Sequence, residues 1–309
     1  MIHNSILDVI GHTPVIRLNR VTDGCPATIL AKLEMLNPTG SAKARSAWGM
    51  IQAAERSGVL KPGGLIVEPT SGNQGIALAM VGAVRGYRVI LVMPEKMSIE
   101  RKKLMEAFGA EVVLAPASED LAGTVRKARE LASSIPGAWM PDQFSNPTNP
   151  DYHEQTTAQE ILAQIDEPIN AFLAGVGTGG TLTGVARVLK KHYPGVRIYA
   201  IEPAGSAVLS GGPPGEHNIQ GIGDGFVPGN LDQSLLDGAI AVTDEEAYQM
   251  ARRLAKEEGI LAGVSSGAAV VAAITVGSQL GNGATVLTIL PDTGERYLST
   301  TLFEKDDNL

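Results

Sequence analysis

The chain of 309 residues has a single cysteine, Cys25, and aromatic residues make up only 4% of it. One cysteine excludes an internal disulfide and any metal site built on clustered thiolates. Basic residues are outnumbered: 25 Lys and Arg stand against 33 Asp and Glu, a net charge of −8. Bulk attraction to nucleic acid or an anionic membrane is therefore not expected. No apolar run approaches the length of a membrane span. The opening MIHNSILDVIGHTP lacks a basic region followed by an apolar core, so it does not read as a secretory signal, and cytoplasm is the expected compartment. The five histidines show no metal spacing, so no metal is expected; surface or capping roles suit most of them.

Glycine, by contrast, is abundant at 36 residues, and much of it sits where loops join helices. Short runs rich in Val, Ile and Leu alternate with longer helical patterns. Strands are expected at 28–34, 65–68, 88–93, 111–115, 171–176, 197–202 and 285–290. Helices are expected at 41–57, 75–85, 99–108, 121–134, 152–164, 180–192, 245–258 and 266–279. Apolar runs without strict alternation suit strands buried on both faces. The alternation of strand and helix implies an α/β fold with a mainly parallel sheet. Residues 146–152 (NPTNPDY) are turn-rich and suit a junction between two lobes, while 203–228 is a long Gly/Pro-rich loop of the kind that usually serves function.

Four stretches carry chemistry. In LNPTGSAKARSAWGMIQAAE (36–55), Ser41 is a natural N-cap and Lys43 falls in the first helical turn. A cation there opposes the helix dipole, which favours the neutral amine that a Schiff-base lysine needs. By position alone, a solvated surface lysine is the simpler reading. In EPTSGNQGIALA (68–79), a strand ends in a polar loop, Thr70, Ser71, Gly72, Asn73 and Gln74, that opens a helix. Such a terminus suits a carboxylate or phosphate, and it also suits plain capping by Thr70 or Ser71. In AGVGTGGTLTG (174–184), clustered glycines and three threonines read as a phosphate cradle. The same residues satisfy G-x-G-x-x-G at Gly175, Gly177 and Gly180, with Glu202 ending the next strand, so a dinucleotide site competes. Spacing alone does not reject it. In GVSSGA (263–268), the serines resemble a nucleophile elbow, but a helical stretch rather than a strand precedes them, which argues against a hydrolase.

Taken together and in order, the segments IGHTPVIRLN, NPTGSAKAR, EPTSGN, MPEKMSIERKKLMEAFGAEVVL, QFSNPTNP, GVGTGGTLTG, IQGIGDGF, EEGILAGVSSGAA and LPDTGERYLSTTLF closely resemble one family. It is that of the pyridoxal-phosphate β-replacement enzymes of the cysteine synthase (O-acetylserine sulfhydrylase) and cystathionine β-synthase type. The resemblance spans nearly the whole chain. It implies fold-type II: two three-layer α/β lobes, like the tryptophan synthase β-subunit, with the cofactor in the cleft between them. Residues 1–34 and 146–309 would form the larger lobe and 35–145 the smaller, mobile one. It implies that Lys43 joins pyridoxal phosphate as a Schiff base. Gly177, Thr178, Gly179, Gly180 and Thr181 would hold the phosphate, Asn73 the ring hydroxyl oxygen and Ser265 the pyridine nitrogen. Thr70, Ser71, Asn73, Gln74 and Gln143 would line the substrate carboxylate site, and Gly221 would close near the substrate amine. The implied reaction converts O-acetyl-L-serine and sulfide into L-cysteine and acetate through a bound aminoacrylate, with Lys43 moving the α-proton. A neutral serine at the ring nitrogen makes a milder electron sink, which favours β-elimination over transamination. The family also implies a homodimer, with serine acetyltransferase as a partner.

The chain departs from the family at four places. Gln74 replaces the threonine of TSGNTG. Ala42 and Ala44 flank the lysine where GSVKDR has valine and an acid. LPSSGERY is here LPDTGERY, with Asp292 and Thr293. GIGAG becomes GIGDG, so Asp224 lies at the expected mouth of the site. Asp224 reads either as a solvated loop residue or as a general base for a hydroxyl nucleophile, which would let the enzyme consume cysteine and release sulfide.

Overall fold

The computed structural model describes residues 2–95, 97–116 and 120–304. Among the described residues, ten strands form two sheets. The six-stranded sheet runs in the order β1 (Val15–Arg17), β2 (Thr28–Leu33), β10 (Thr285–Leu290), β7 (Ala171–Gly175), β8 (Arg197–Pro203) and β9 (Gly238–Val242). Only β1 is antiparallel to its neighbour. The four-stranded sheet is wholly parallel and runs β5 (Glu111–Ala115), β4 (Arg88–Pro94), β3 (Leu65–Pro69), β6 (Ala138–Trp139). Nine α-helices accompany them among the described residues: α1 (Lys43–Ser57), α2 (Asn73–Arg85), α3 (Ile99–Ala107), α4 (Asp120–Ser134), α5 (Thr148–Gln155), α6 (Thr157–Gln164), α7 (Gly180–His192), α8 (Asp244–Arg253) and α9 (Val264–Leu280).

Each sheet is the middle of three layers, because successive strand residues face opposite sides. In the larger sheet Ile29, Leu173 and Val286 pack with α8 and α9 on one face. Their neighbours Leu30, Phe172 and Leu287 pack with α6 and α7 on the other. In the smaller sheet Ile66 and Leu91 join α1 and α2, while Leu65, Val67, Ile90 and Val92 meet α4 through Ala128. This two-sided burial is why the strands read as continuous apolar runs. It also yields the two three-layer lobes expected from the sequence.

Three strands were not expected. β1 is a three-residue edge, β6 has two residues, and β9 is a half-buried edge that follows the Gly/Pro-rich segment. β1 and β6 are too short to register as a pattern, whereas β9 (GAIAV) is apolar and five residues long and was missed by sequence reasoning. The helix expected over 152–164 is two helices that begin earlier, at Thr148. Thr156 breaks it: its backbone leaves helical geometry, and its hydroxyl donates back to the Tyr152 carbonyl at 2.6 Å. The helix expected over 245–258 changes to a π-helical turn at Leu254–Glu258 and stops at left-handed Gly259.

A buried ionic network anchors the start of α1. Arg45 donates to both oxygens of Glu34, at 2.7 and 2.8 Å, and to both oxygens of Glu160, at 2.6 and 2.7 Å. Lys32 adds a contact to Glu160 at 2.9 Å and donates to the Thr13 carbonyl at 2.8 Å. Thr13 and Asn37 donate further to Glu34. Every charge thus has a partner, the condition for tolerating buried ions. Burial opposes ionisation of Glu160, but hydrogen bonds and charge from Arg45 and Lys32 outweigh it and hold the carboxyl down to about 2. Glu34 is shifted down in the same way: burial opposes, and the Arg45 guanidinium prevails.

Removing Arg45 leaves two buried carboxylates without their main donor. Arg45→Ala is expected to cost about 3–5 kcal/mol of stability, read from the midpoint of urea unfolding. Glu160 has a folded value below its unfolded one of about 4.3. Its contribution is therefore complete above roughly pH 5 and is lost as pH falls towards the folded value. Glu160→Gln should flatten the stability profile across that acid window.

Candidate active site

The carboxyl ends of β3, β7 and β10 feed the loops that meet at the cleft, the usual place for a site in parallel α/β sheets. Two adjoining hollows open there. One, of about 610 Å³ counted to its open mouth, is lined by Lys43, Asn73, Ser265, Gly221 and the run Gly177–Thr181. The other, of about 320 Å³, is lined by Thr70, Ser71, Gln74, Gln143, Arg101 and Gln220, and it shares Lys43, Asn73 and Gly221 with the first. All the site residues expected from sequence except Asp224 thus line one or both hollows.

Lys43 is the first residue of α1. The expected cap Ser41 does not cap: Ala42 takes the N-cap position with no side-chain bond. Ser41 is extended and pairs instead with Asp292, while the Ala42 N–H donates to the Pro291 carbonyl at 2.9 Å. The backbone pairing fixes the start of α1 against the end of β10, so no serine cap is needed. Ala44 is wholly buried in the smaller lobe's core, where an acid would lack a partner. The Lys43 side chain keeps some surface open to the cleft, yet its amine is packed among protein atoms. Burial lowers its pKa, and the charges of Asp224 and Asp292 act against that fall.

In the second loop, Gly72 is the N-cap of α2, and Thr70 does the capping from a distance. Its hydroxyl oxygen accepts the N–H of Gly72 and of Gly75, each at 3.0 Å. Gln74 is buried. Its carbonyl oxygen accepts from the Ser46 hydroxyl at 2.9 Å, and its Nε2 has no partner. Gln74 lines the second hollow, and a buried amide donor left unpaired calls for an acceptor. Asn73 is clamped at both ends: Nδ2 donates to Asp292 at 2.8 Å, and Oδ1 accepts from Arg296. Asp292 also accepts from the Tyr297 hydroxyl at 2.9 Å.

At the third loop, Gly177 has no room for a side chain, since a Cβ there would overlap the Gly221 carbonyl oxygen. Gly179 has φ +79°, left-handed geometry that favours glycine. Thr178 and Thr181 place hydroxyls at the first turn of the 13-residue helix α7. Thr181 Oγ1 lies 3.2 Å from His153 Nε2, and His153 Nδ1 lies 2.8 Å from Thr157. His153 is therefore not a surface histidine; burial pushes it down to about 3, so it is neutral. Ser265 is the second residue of α9, whose cap is Gly263 and not a serine, and its side chain is buried at the cleft. An isolated bridge at Ala262 rather than a strand precedes it, so the nucleophile elbow does not form.

Asp224 is set back from both hollows. Its Oδ2 is 3.7 Å from the point where a Cβ on Gly177 would stand. Burial raises its pKa, while the nearby charges of Lys43 and His217 oppose the rise. Glu202, the acid required of a dinucleotide site, closes on its own loop. Its carboxylate accepts the N–H groups of Leu209 and Ser210, at 2.7 and 3.0 Å, and the Ser210 hydroxyl. It is not free for a ribose, so the dinucleotide reading fails. Sequence reasoning missed Arg101, Gln220, Asn149 and Arg296 because their partners are remote in the chain.

A lysine shared by two adjoining hollows, one lined by a glycine and threonine run at a helix N-terminus, in a cleft between two α/β lobes, fits a fold-type II pyridoxal-phosphate enzyme. The family model described as pyridoxal-phosphate dependent enzyme matches residues 6–292, and the chain belongs to that family. It is 55% identical over 305 residues to a cysteine synthase of Staphylococcus aureus, covering 98% of each chain. The structure of an O-ureido-L-serine synthase superposes with a TM-score of 0.95 at 46% identity, covering 100% of this chain and 98% of that one. A hydrogen sulfide-producing enzyme from Fusobacterium nucleatum gives 0.93 at 40% identity, covering 96% and 100%. The cofactor is pyridoxal phosphate, and the residues present fit it: a glycine run too tight for side chains, hydroxyls at a helix N-terminus and a buried amine.

Gly177→Ala should push the Gly221 turn out of place. Pyridoxal phosphate affinity, titrated by absorbance, is expected to fall on the order of tenfold or more for one lost polar contact and its strain, with circular dichroism unchanged.

Proposed function

We propose that the protein catalyses β-replacement on an L-serine-derived amino acid, foremost O-acetyl-L-serine plus sulfide to L-cysteine plus acetate. The observation that carries this reading is the single amine of Lys43 shared by the two hollows. Likeness to the Staphylococcus aureus cysteine synthase supports it.

Lys43 would hold the cofactor covalently through its amine, Gly177–Thr181 its phosphate, Asn73 its ring oxygen and Ser265 its ring nitrogen. Bound pyridoxal phosphate supplies electron withdrawal from the substrate's Cα. Thr70, Ser71, Gln74 and Gln143 grip the substrate carboxylate, Gln74 through its unpaired Nε2. Lys43 Nζ, whose pKa burial lowers, takes the Cα proton and returns it after the nucleophile has added at Cβ. The lobe of residues 35–145 closes over the substrate against residues 1–34 and 146–309, which excludes water. The same reading carries a cytoplasmic homodimer and serine acetyltransferase as partner.

A second reading has its own observation, the half-buried carboxylate of Asp224, whose charge acts on Lys43. Placed there, it deprotonates a neutral nucleophile such as water and repels hydrosulfide. Cysteine plus water would then give serine plus hydrogen sulfide. The Fusobacterium nucleatum neighbour is a hydrogen sulfide-producing enzyme.

Purified protein is expected to be yellow, with a band that borohydride fixes on Lys43. Lys43→Ala should lose that fixation and about 10²–10⁴-fold of turnover. A colourless protein that takes no pyridoxal phosphate overturns the reading. Product from O-acetylserine plus sulfide, set beside sulfide release from cysteine alone, separates the two reactions. Asp224→Asn should lower sulfide release about 10²-fold or more, and unchanged release removes the second reading.

A further inference from the structure

Asn149, the second residue of α5, is buried and joins the two hollows through one atom. Its Nδ2 donates to the Gln143 carbonyl at 2.9 Å and to the Thr178 hydroxyl oxygen at 3.0 Å. A carbonyl oxygen only accepts, so the orientation of the carboxamide is fixed and both its hydrogens are used. Thr178 lies in the phosphate cradle and Gln143 in the carboxylate pocket. Thr178 Oγ1 also accepts, at a longer 3.5 Å, from the Gly180 N–H, which leaves its hydroxyl proton for an anion. Gln143 is held at every other polar backbone point. Its N–H donates to Glu68 at 3.0 Å, and its carbonyl also accepts from Asn230 Nδ2 at 2.7 Å. Its Nε2 reaches the Pro69 carbonyl at 3.2 Å. Gly180 belongs to the same arrangement: a Cβ there would overlap the Asn149 carboxamide. That glycine makes room for Asn149 as well as for a ligand.

We propose that Asn149 is a positioning residue that couples the phosphate cradle to the carboxylate pocket, so that filling the first tightens binding of the amino acid in the second. The proposal rests on the assignment of the two hollows in the preceding subsection. An anion on Thr178 orients its hydroxyl and fixes the acceptor that Asn149 meets. Asn149 then holds the Gln143 carbonyl in one place, and Gln143 presents a fixed side chain to the carboxylate. By linkage the amino acid strengthens phosphate binding by the same factor.

The test loads the protein with pyridoxal, which lacks the phosphate, and titrates L-alanine, which has the carboxylate but no leaving group. The cofactor's absorbance reports binding with and without inorganic phosphate. In the wild type, phosphate should tighten L-alanine binding on the order of tenfold. In Asn149→Ala the ratio should fall to near one, and in Asn149→Asp, which keeps the shape without the N–H donors, likewise. Asn230→Ala also removes a donor to Gln143 but does not touch Thr178 through its side chain. It should weaken L-alanine in both forms and preserve the ratio. A wild-type ratio of one, a ratio that survives in both Asn149 variants, or a ratio lost equally in Asn230→Ala overturns the coupling. L-alanine that binds while phosphate has no effect defeats the coupling alone; a protein that takes up neither pyridoxal nor pyridoxal phosphate defeats the parent reading as well.

Discussion

The site depends on keeping one primary amine inside protein with no salt-bridge partner among the described residues. Burial lowers the pKa of Lys43, and two carboxylates nearby restrain the fall without contacting it. Holding an amine in that balance needs a rigid backbone. Pairing of 41–42 with 291–292 supplies one side of it, and the Arg45 network supplies the other. Arg45 is two residues beyond Lys43, so it faces a different side of α1 and can anchor the helix without neutralising the amine.

The same constraint explains the small residues around the lysine. Ala42 and Ala44 are both buried, one against the end of β10 and the other in the smaller lobe's core. The acid that the family has at 44 is not replaced elsewhere in α1's first turn. The other chain departures lie closer to the chemistry. Asp292 adds a carboxylate whose Oδ2 serves Asn73 and Tyr297, and its Oδ1 is buried with no partner. With Arg296 on the other end, Asn73 is aligned between opposite charges. Such a clamp fixes which edge of the amide faces the cleft, a property that a neutral serine at 292 would supply less strongly.

Much of this was legible in the sequence, because local rules govern much of it. Two strands, 111–115 and 285–290, and the helix 180–192 have the bounds expected from pattern alone. The loops at 70–74 and 177–181 stood out because glycines and hydroxyl residues cluster where a strand passes into a helix, and both loops line the cleft. The connections were not readable. Asn73 meets Asp292 across 219 positions and Arg296 across 223, and Arg101 meets Gln220 across 119. No periodicity encodes such pairs. Of the expected caps, Thr70 holds, accepting from two N–H groups at the start of α2, whereas Ser41 does not cap because the backbone at 41–42 pairs with 291–292 instead.

Glu202 shows why a short motif needs its surroundings. By spacing it completes a dinucleotide fingerprint, yet its carboxylate is spent on Leu209 and Ser210. Gly180 is the converse case. The same motif assigns it to phosphate approach, whereas the neighbour that forbids a side chain there is Asn149. One glycine therefore serves two demands, close packing on a carboxamide and an open cradle. A side chain at 180 would displace the Asn149 carboxamide, which bonds both Thr178 and Gln143. Thr178 of the first hollow and Gln143 of the second are thus joined through one carboxamide, and Lys43 lines both hollows.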